Sequence, residues 1–374
     1  MQLSTRLGLA AAATIAGGAA AFGQCEPVVI GRIDSTRPVE AIEIDDRGYL
    51  YYLANGVCIA DVRDPANPQV LVSGHPIGSP YFSLHVFEDR LYVMHGDDFQ
   101  WGRITIHDIA VPEAIEQVWQ SSFVGYGRGA ISGGALFHSF TDAPVIKMYE
   151  LGRDAIDTFI GGFGLGSRSA GRFATQELVV FCSTEDGIEI IDFSDGEEPR
   201  QRSFIPYAGR NNPIRVSGSV AMSSGQDGRL HAFDVRDLDR PEVLGNFVGR
   251  GLDLVLTDGL AILIRDRITF VDRTDPANMR EVGFLTITPT LPRWGVARDG
   301  VLYVAAGESI YIIDFSSCEP CRADLDESGV LDLFDFLEFQ RLFMAGNVRG
   351  DFDGDGSLTV FDFLAFQNAF QAGC

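Results

Sequence analysis

The sequence predicts an all-β fold: a seven-bladed β-propeller whose last blade is closed by an N-terminal strand, followed by a small all-α segment of two calcium loop–helix repeats. Three observations carry this expectation. Between about residues 26 and 316 the chain shows short β-branched and aromatic runs separated by Gly, Asp, Asn and Pro, with no long amphipathic helix. Seven of these runs end on an acidic residue, at Asp61, Asp108, Glu150, Asp192, Asp234, Asp272 and Asp314, in steps of 47, 42, 42, 42, 38 and 42 residues. That period is the length of a propeller blade. Beyond residue 320 a twelve-residue acidic pattern occurs twice, 27 residues apart.

Taken in order, the chain begins with MQLSTR, an apolar LGLAAAATIAGGAAAF stretch and small residues in AFGQ. This reads as a secretory signal peptide over residues 1–23, cleaved near Ala21 or Gly23. The stretch is too short and too rich in Ala and Gly for a membrane anchor, and no later segment spans a bilayer. The mature chain is therefore expected outside the cytoplasm.

The propeller is expected over residues 24–318. Each unit has a turn-initiated apolar strand (GYLYYLA, DRLYVMHG, GALFHSF, ELVVFCST, GSVAMSSG, DGLAILIRD, DGVLYVAAG) about ten residues before its acidic residue. A turn into an outer strand follows, as in DPANPQVLVSG, and a less regular inner strand precedes, so each unit has four strands. The last unit stops at IYIIDFSSC, and PVVIGRI supplies its missing strand if residues 27–33 pair antiparallel with 309–315. Cys25 then comes near Cys318, and a disulfide closing so long a loop is worth about 2–5 kcal/mol. A Cys25–Cys321 bond has a similar reach. Cys58 and Cys182 lie inside apolar strands and read as buried free thiols.

The matching units GVCIADVRDPANPQVLVSG, GIEIIDFSDGEEPRQRSF, RLHAFDVRDLDRPEVLGNF and RITFVDRTDPANMREVGF resemble the LVIVD-type repeat propellers. The third unit, VIKMYELGRDAIDTFIGGF, departs from their pattern. The resemblance covers about four-fifths of the chain and implies a fold, which does not fix a function.

Residues 319–374 form the second expected domain. In DFDGDGSLTVFD the calcium-loop positions fall on Asp351, Asp353, Asp355, the Ser357 carbonyl, Thr359 and Asp362, with Gly356 at the turn. In DLDESGVLDLFD they fall on Asp324, Asp326, Ser328, the Val330 carbonyl, Asp332 and Asp335, with Gly329 at the turn. Ser328 stands where a carboxylate is usual and should weaken that loop. The spacing thus predicts two calcium ions. FDFLEFQRLFMAG and FDFLAFQNAFQAG follow as aromatic helices, with Phe336, Leu337, Phe339, Leu342 and Phe343, and Phe363, Leu364, Phe366 and Phe370, expected mostly on one face.

Two loop–helix copies ending on Asp, twin FDFLxFQ motifs, a leading Cys321 and a closing Gly373 and Cys374 closely resemble the GC-type dockerin-like anchoring domain. The resemblance implies an antiparallel pseudo-twofold that brings the ends together, hence a Cys321–Cys374 disulfide. It further implies a cohesin-like or other surface or anchoring protein as partner.

The formal charge of −23 and the absence of a basic run exclude nucleic acid and anionic membrane surfaces as expected partners. No catalytic constellation emerges. The six histidines lack zincin spacing, and GGFGLGSRSAGRF lacks the Lys-Ser/Thr and helix of a phosphate loop. His85, His95, Asp97 and Asp98 fall near inner-strand ends, where propeller pockets form, but read first as ordinary strand and loop residues. The expected function is a non-catalytic binding or scaffold propeller with a protein or glycan ligand, displayed at the cell surface or in an extracellular complex. The alternative is a carbohydrate-active enzyme, a glycoside hydrolase or polysaccharide lyase. Paired carboxylates in the channel would favour the enzyme, and an apolar, small-residue lining the binding module.

Overall fold

The computed structural model describes residues 15–16, 25–96, 102–121, 127–139, 144–166, 170–207, 212–288, 290–326, 328 and 330–373. Seven antiparallel sheets follow one another over residues 41–75, 81–120, 129–164, 173–206, 214–248, 253–287 and 292–314, here blades 1 to 7. Blades 1 to 6 are four-stranded meanders, laid down from the central channel outward. Blade 3 is complete despite its departing sequence. Of the segment read as a signal peptide, only Ile15 and Ala16 are described, paired antiparallel with Ile287 and Thr286 on the outer edge of blade 6.

Blade 7 has three strands of its own, and Val28–Asp34 supplies the fourth. It runs antiparallel to Ser309–Asp314, with Val28 opposite Asp314 and Asp34 opposite Ser309. Cys25 and Cys318 are thereby joined in a disulfide, their Cα atoms 4.8 Å apart, which rules out the Cys25–Cys321 alternative. Cys58 and Cys182 are buried and free.

The recurring aspartate has a structural reason. The carboxylates of Asp61, Asp108, Asp192, Asp234, Asp272 and Asp314 each accept the backbone N–H two residues on, from Arg63, Ala110, Ser194, Arg236, Thr274 and Ser316. Each ends a third strand and starts the turn that follows, to the outer strand in all but blade 7, and a short carboxylate suits that turn. The apolar residues of adjacent blades meet between them. Tyr51, Leu53 and Ile59 of blade 1 pack with Leu84, Leu91 and Val93 of blade 2, and similar clusters fill the other blade interfaces. Every blade thus buries apolar residues against a neighbour on both faces, blade 7 against blade 1 included.

The C-terminal segment carries two helices, α1 (Leu333–Met344) and α2 (Val360–Ala372). Asp332 and Thr359 are their N-caps, and Asp335 and Asp362, three residues on, complete capping boxes. Residues 27 apart face each other across the segment: Phe339 stacks on Phe366 at 4.6 Å, and Phe336 meets Phe363 edge-on at 6.1 Å. Leu337 and Leu364 stand outside this core, 48% and 46% exposed, since one residue beyond Phe336 or Phe363 turns a helix position by about 100°.

The segment rests on blades 5 and 6. Val348 packs onto the apolar cluster between those blades, Arg236 Nη1 donates to the Gly346 carbonyl at 2.7 Å, and Arg349 pairs with Asp275 at 3.8 Å. At Gly218, with φ +56°, a Cβ would come within 2.6 Å of the Gly354 carbonyl, so glycine permits the approach of blade 5 to the second acidic loop.

Candidate functional site

The inner strands of all seven blades line a central channel of about 630 Å³. Neither a small apolar lining nor a lone carboxylate pair describes it. Arg128 and Arg172 immediately precede the inner strands of blades 3 and 4, Arg215 lies within that of blade 5, and Asp253 opens that of blade 6. Trp294 sits near the start of the blade 7 strand. Asp253, 2% exposed, is held on both oxygens. Its Oδ1 accepts from Arg172 Nη1 at 3.0 Å and Arg215 Nη2 at 3.1 Å, and its Oδ2 from the Gly295 N–H at 3.2 Å. Trp294 faces two cations, with the Arg172 guanidinium 4.5 Å and that of Arg128 5.4 Å from its ring centroid. Among the described residues no carboxylate lies within ion-pair distance of Arg128.

Across the channel His85 Nδ1 lies 3.7 Å from Glu43 Oε2. Burial pushes Glu43 up to about 7, against the pull of Arg215. Burial pushes His85 down to about 4, so both groups are neutral between those values. Burial, together with the other two arginines, moves Arg172 down to about 10 despite Asp253, and Arg128 also falls. Both remain cationic at neutral pH. A second cavity of about 550 Å³ shares Phe82, Arg128 and Arg172 with the channel and adds Arg250.

Of the inner-strand histidine group, only His85 reaches the channel. His95 is buried at the end of a second strand with Nδ1 2.6 Å from the Gly96 carbonyl oxygen, and Asp97 and Asp98 lie outside the described residues. The channel arginines are absent from the expected site. Their one signal was position, since each precedes its blade's second strand by a similar distance, in RGAISGGALF, RFATQELVVF and RVSGSVAMSS.

The acidic loops gather part of each expected ligand set. In the second, one oxygen each of Asp351, Asp353 and Asp355 lie within 4.8 Å of one another. Asp351 is 4% exposed; its Oδ2 accepts from Ser219 Oγ of blade 5 at 3.0 Å, while its Oδ1 is buried without a hydrogen-bond partner. A buried, unpartnered carboxylate oxygen beside two further carboxylates fits a hard divalent cation. Thr359 and Asp362 do other work here: Asp362 accepts the N–H groups of Phe352, Asp353 and Thr359, and Thr359 Oγ1 that of Phe361. Gly356 holds its turn at φ +84°.

In the first loop Asp324, Asp326 and Asp335 converge within 4.8 Å. Asp335 repeats the role of Asp362, accepting from Leu325, Asp326 and Asp332, while Asp332 caps Phe334. Ser328 Oγ donates to the Val330 carbonyl at 3.1 Å, so two expected ligands satisfy each other. Gly329 and Cys374 lie outside the described residues, and Cys321 is disulfide-bonded.

These features define the class: a seven-bladed β-propeller with a charged central channel and a two-helix C-terminal segment. No protein-family model and no curated protein matches the chain by sequence. Among solved structures it is similar to the β-propeller domain of Cps50 (Swd1) from Myceliophteria thermophila, at 13% identity and a TM-score of 0.62, covering 77% of this chain and 99% of that one. It is also similar to a chain of the mitotic checkpoint complex, at 10% identity and a TM-score of 0.64, covering 83% and 99%. At such identities the likeness is one of fold.

Proposed function

We propose that this chain is an exported, non-catalytic binding or scaffold propeller of the LVIVD type, attached to a surface or extracellular complex through a calcium-folded dockerin-like tail. One observation carries the reading. Phe334 and Phe361, 27 residues apart, are 64% and 63% exposed, as are Leu333 and Val360 at 65% and 64%. Together with Leu337 and Leu364 they form a duplicated apolar face that the tail's own core leaves uncovered. Exposed apolar residues repeated by a pseudo-twofold suit a protein partner, cohesin-like or otherwise. The calcium ions would be held by Asp351, Asp353 and Asp355, and more weakly by Asp324, Asp326 and Asp335. Cys321–Cys374 would tie the ends of the tail, as Cys25–Cys318 ties the ring. No helix among the described residues is long and apolar enough to cross a membrane, so attachment through a protein is consistent with the structure.

The test is retention of the full chain on the exporting cell's envelope fraction in calcium, in chelator, and as the Phe334→Ser, Phe361→Ser variant. Retention in calcium that is lost in both other conditions supports the reading. Retention indifferent to both, or none at all, removes it.

A second reading, a carbohydrate-active enzyme, draws on Glu43 and Asp253, two channel carboxylates in different environments: one pushed up to about 7 by burial, the other held by arginines. Against it, both Asp253 oxygens are already occupied by donors. Reducing ends or unsaturated products released from a polysaccharide panel, and abolished by Glu43→Gln, would establish the enzyme.

A further inference from the structure

The channel's charges are not paired one to one, although the chain as a whole is strongly acidic. Arg128, Arg172 and Arg215 bring three cations to one cavity, in a protein whose formal charge is −23. Asp253 neutralises one of them and is fully committed, through Oδ1 to Arg172 and Arg215 and through Oδ2 to Gly295. Glu43 and the exposed Glu40 also line the channel, and burial pushes Glu43 toward its neutral form. Of these three carboxylates only Asp253 lies within ion-pair distance of a channel arginine among the described residues, so Arg128 has no direct counter-charge. Arg128 is the channel arginine without a carboxylate in ion-pair distance among the described residues; it is half-buried and stands over the Trp294 face.

Confining like charges in a partly desolvated cavity is costly unless an anion enters. Guanidinium groups present paired N–H donors that match the oxygens of a carboxylate, sulfate or phosphate. Asp253 shows that the channel arginines already hold one carboxylate, Arg172 and Arg215 each donating a single N–H to Oδ1. The cavity is large enough for a solute of several carbon atoms, and Arg128 and Arg172 also border the adjoining cavity that carries Arg250.

We infer that the propeller channel is a binding site for a small oxyanion-bearing solute, whose carboxylate, sulfate or phosphate group is held by Arg128, itself seated on the Trp294 face, together with the Arg172–Asp253–Arg215 cluster. The inference rests on the binding-module reading in that it names the chemistry of a ligand, but it is tested separately from attachment and from catalysis.

The experiment is titration calorimetry on the full chain at low ionic strength with glucuronate, inorganic sulfate and inorganic phosphate, one arm for each source of the oxyanion. The same protein is assayed in parallel for product release from uronate polymers. Binding of at least one anion at one site per chain is expected. Arg128→Gln should weaken it about 10- to 100-fold, since a hydrogen-bonded charge is lost. Arg128 holds no carboxylate, so this variant orphans no buried anion and should fold; unchanged circular dichroism and melting check that. Arg128→Lys, which keeps the charge but not the fork, should fall between the two. No binding of any of the three anions, or binding unaffected by Arg128→Gln, overturns the inference and leaves the attachment reading standing. Anion binding accompanied by product release keeps the site and overturns the non-catalytic reading.

Discussion

Glu43 and His85 face one another from the neighbouring inner strands of blades 1 and 2, and their titrations oppose. Glu43 has an ordinary value of 4.5 and about 7 in the folded chain, so its contribution to stability is complete below 4.5 and is lost as pH rises through 7. His85 falls from 6.5 to about 4, so its contribution is complete above 6.5 and is lost as pH falls through 4. In the intact chain the two trends offset each other between about pH 4.5 and 6.5. Glu43→Gln should leave a stability that declines on acidification over that interval. His85→Gln should leave one that declines as pH is raised from 4.5 toward 7. Urea midpoints across the interval measure both, and parallel slopes in the two variants would contradict the assignment. Ser219 makes a second residue-scale case, because it belongs to the propeller yet fixes Asp351 Oδ2 and leaves Oδ1 toward the loop. Supporting hydrogen bonds of this kind tune metal affinity, so Ser219→Ala should weaken calcium binding about 10-fold by calorimetry. An unchanged affinity would mean that the contact only docks the tail.

At the scale of the element, the tail's two loop–helix units are too small to stand on apolar burial alone. Their core is a short aromatic stack around Phe339 and Phe366, and the carboxylates of the acidic loops repel one another unless a cation joins them. Calcium removal should therefore abolish the helical signal of α1 and α2 while the sheet signal of the propeller persists in far-ultraviolet dichroism. A helical signal unchanged by chelator would show that the capping boxes and the stack suffice. Phe366→Ala, at the centre of that stack and 2% exposed, should destabilise the tail by about 3–5 kcal/mol in a denaturant titration of the calcium-loaded protein.

For the whole molecule, closure is the deciding event. Val28–Asp34 completes blade 7, and the Cys25–Cys318 disulfide bridges a sequence separation of 293 residues beside it. Replacing both cysteines by serine should cost about 2–5 kcal/mol of stability, read as a lower denaturant midpoint with the fold retained. A midpoint equal to that of the unmodified chain would mean that strand pairing alone closes the ring. Peptide mapping of the same intact protein locates the partner of Cys321, and free thiols at Cys321 and Cys374 would remove the proposed second staple.

What the sequence determined by itself is periodic. The aspartate that ends six of the seven third strands and the doubled acidic loop recur at similar intervals because each copy satisfies the same local backbone need, and the apolar second strands recur with them. What only the tertiary structure decided is the channel. Arg128, Arg172, Arg215, Asp253 and Trp294 come from five blades, and Glu43 and His85 from two more, each one residue in or just before an inner strand. No linear spacing marks them as neighbours. In a chain with a formal charge of −23 the charged ones read singly as ordinary surface charges, and ring closure alone sets Arg172 and Arg215 on one buried aspartate with Arg128 over Trp294 beside them.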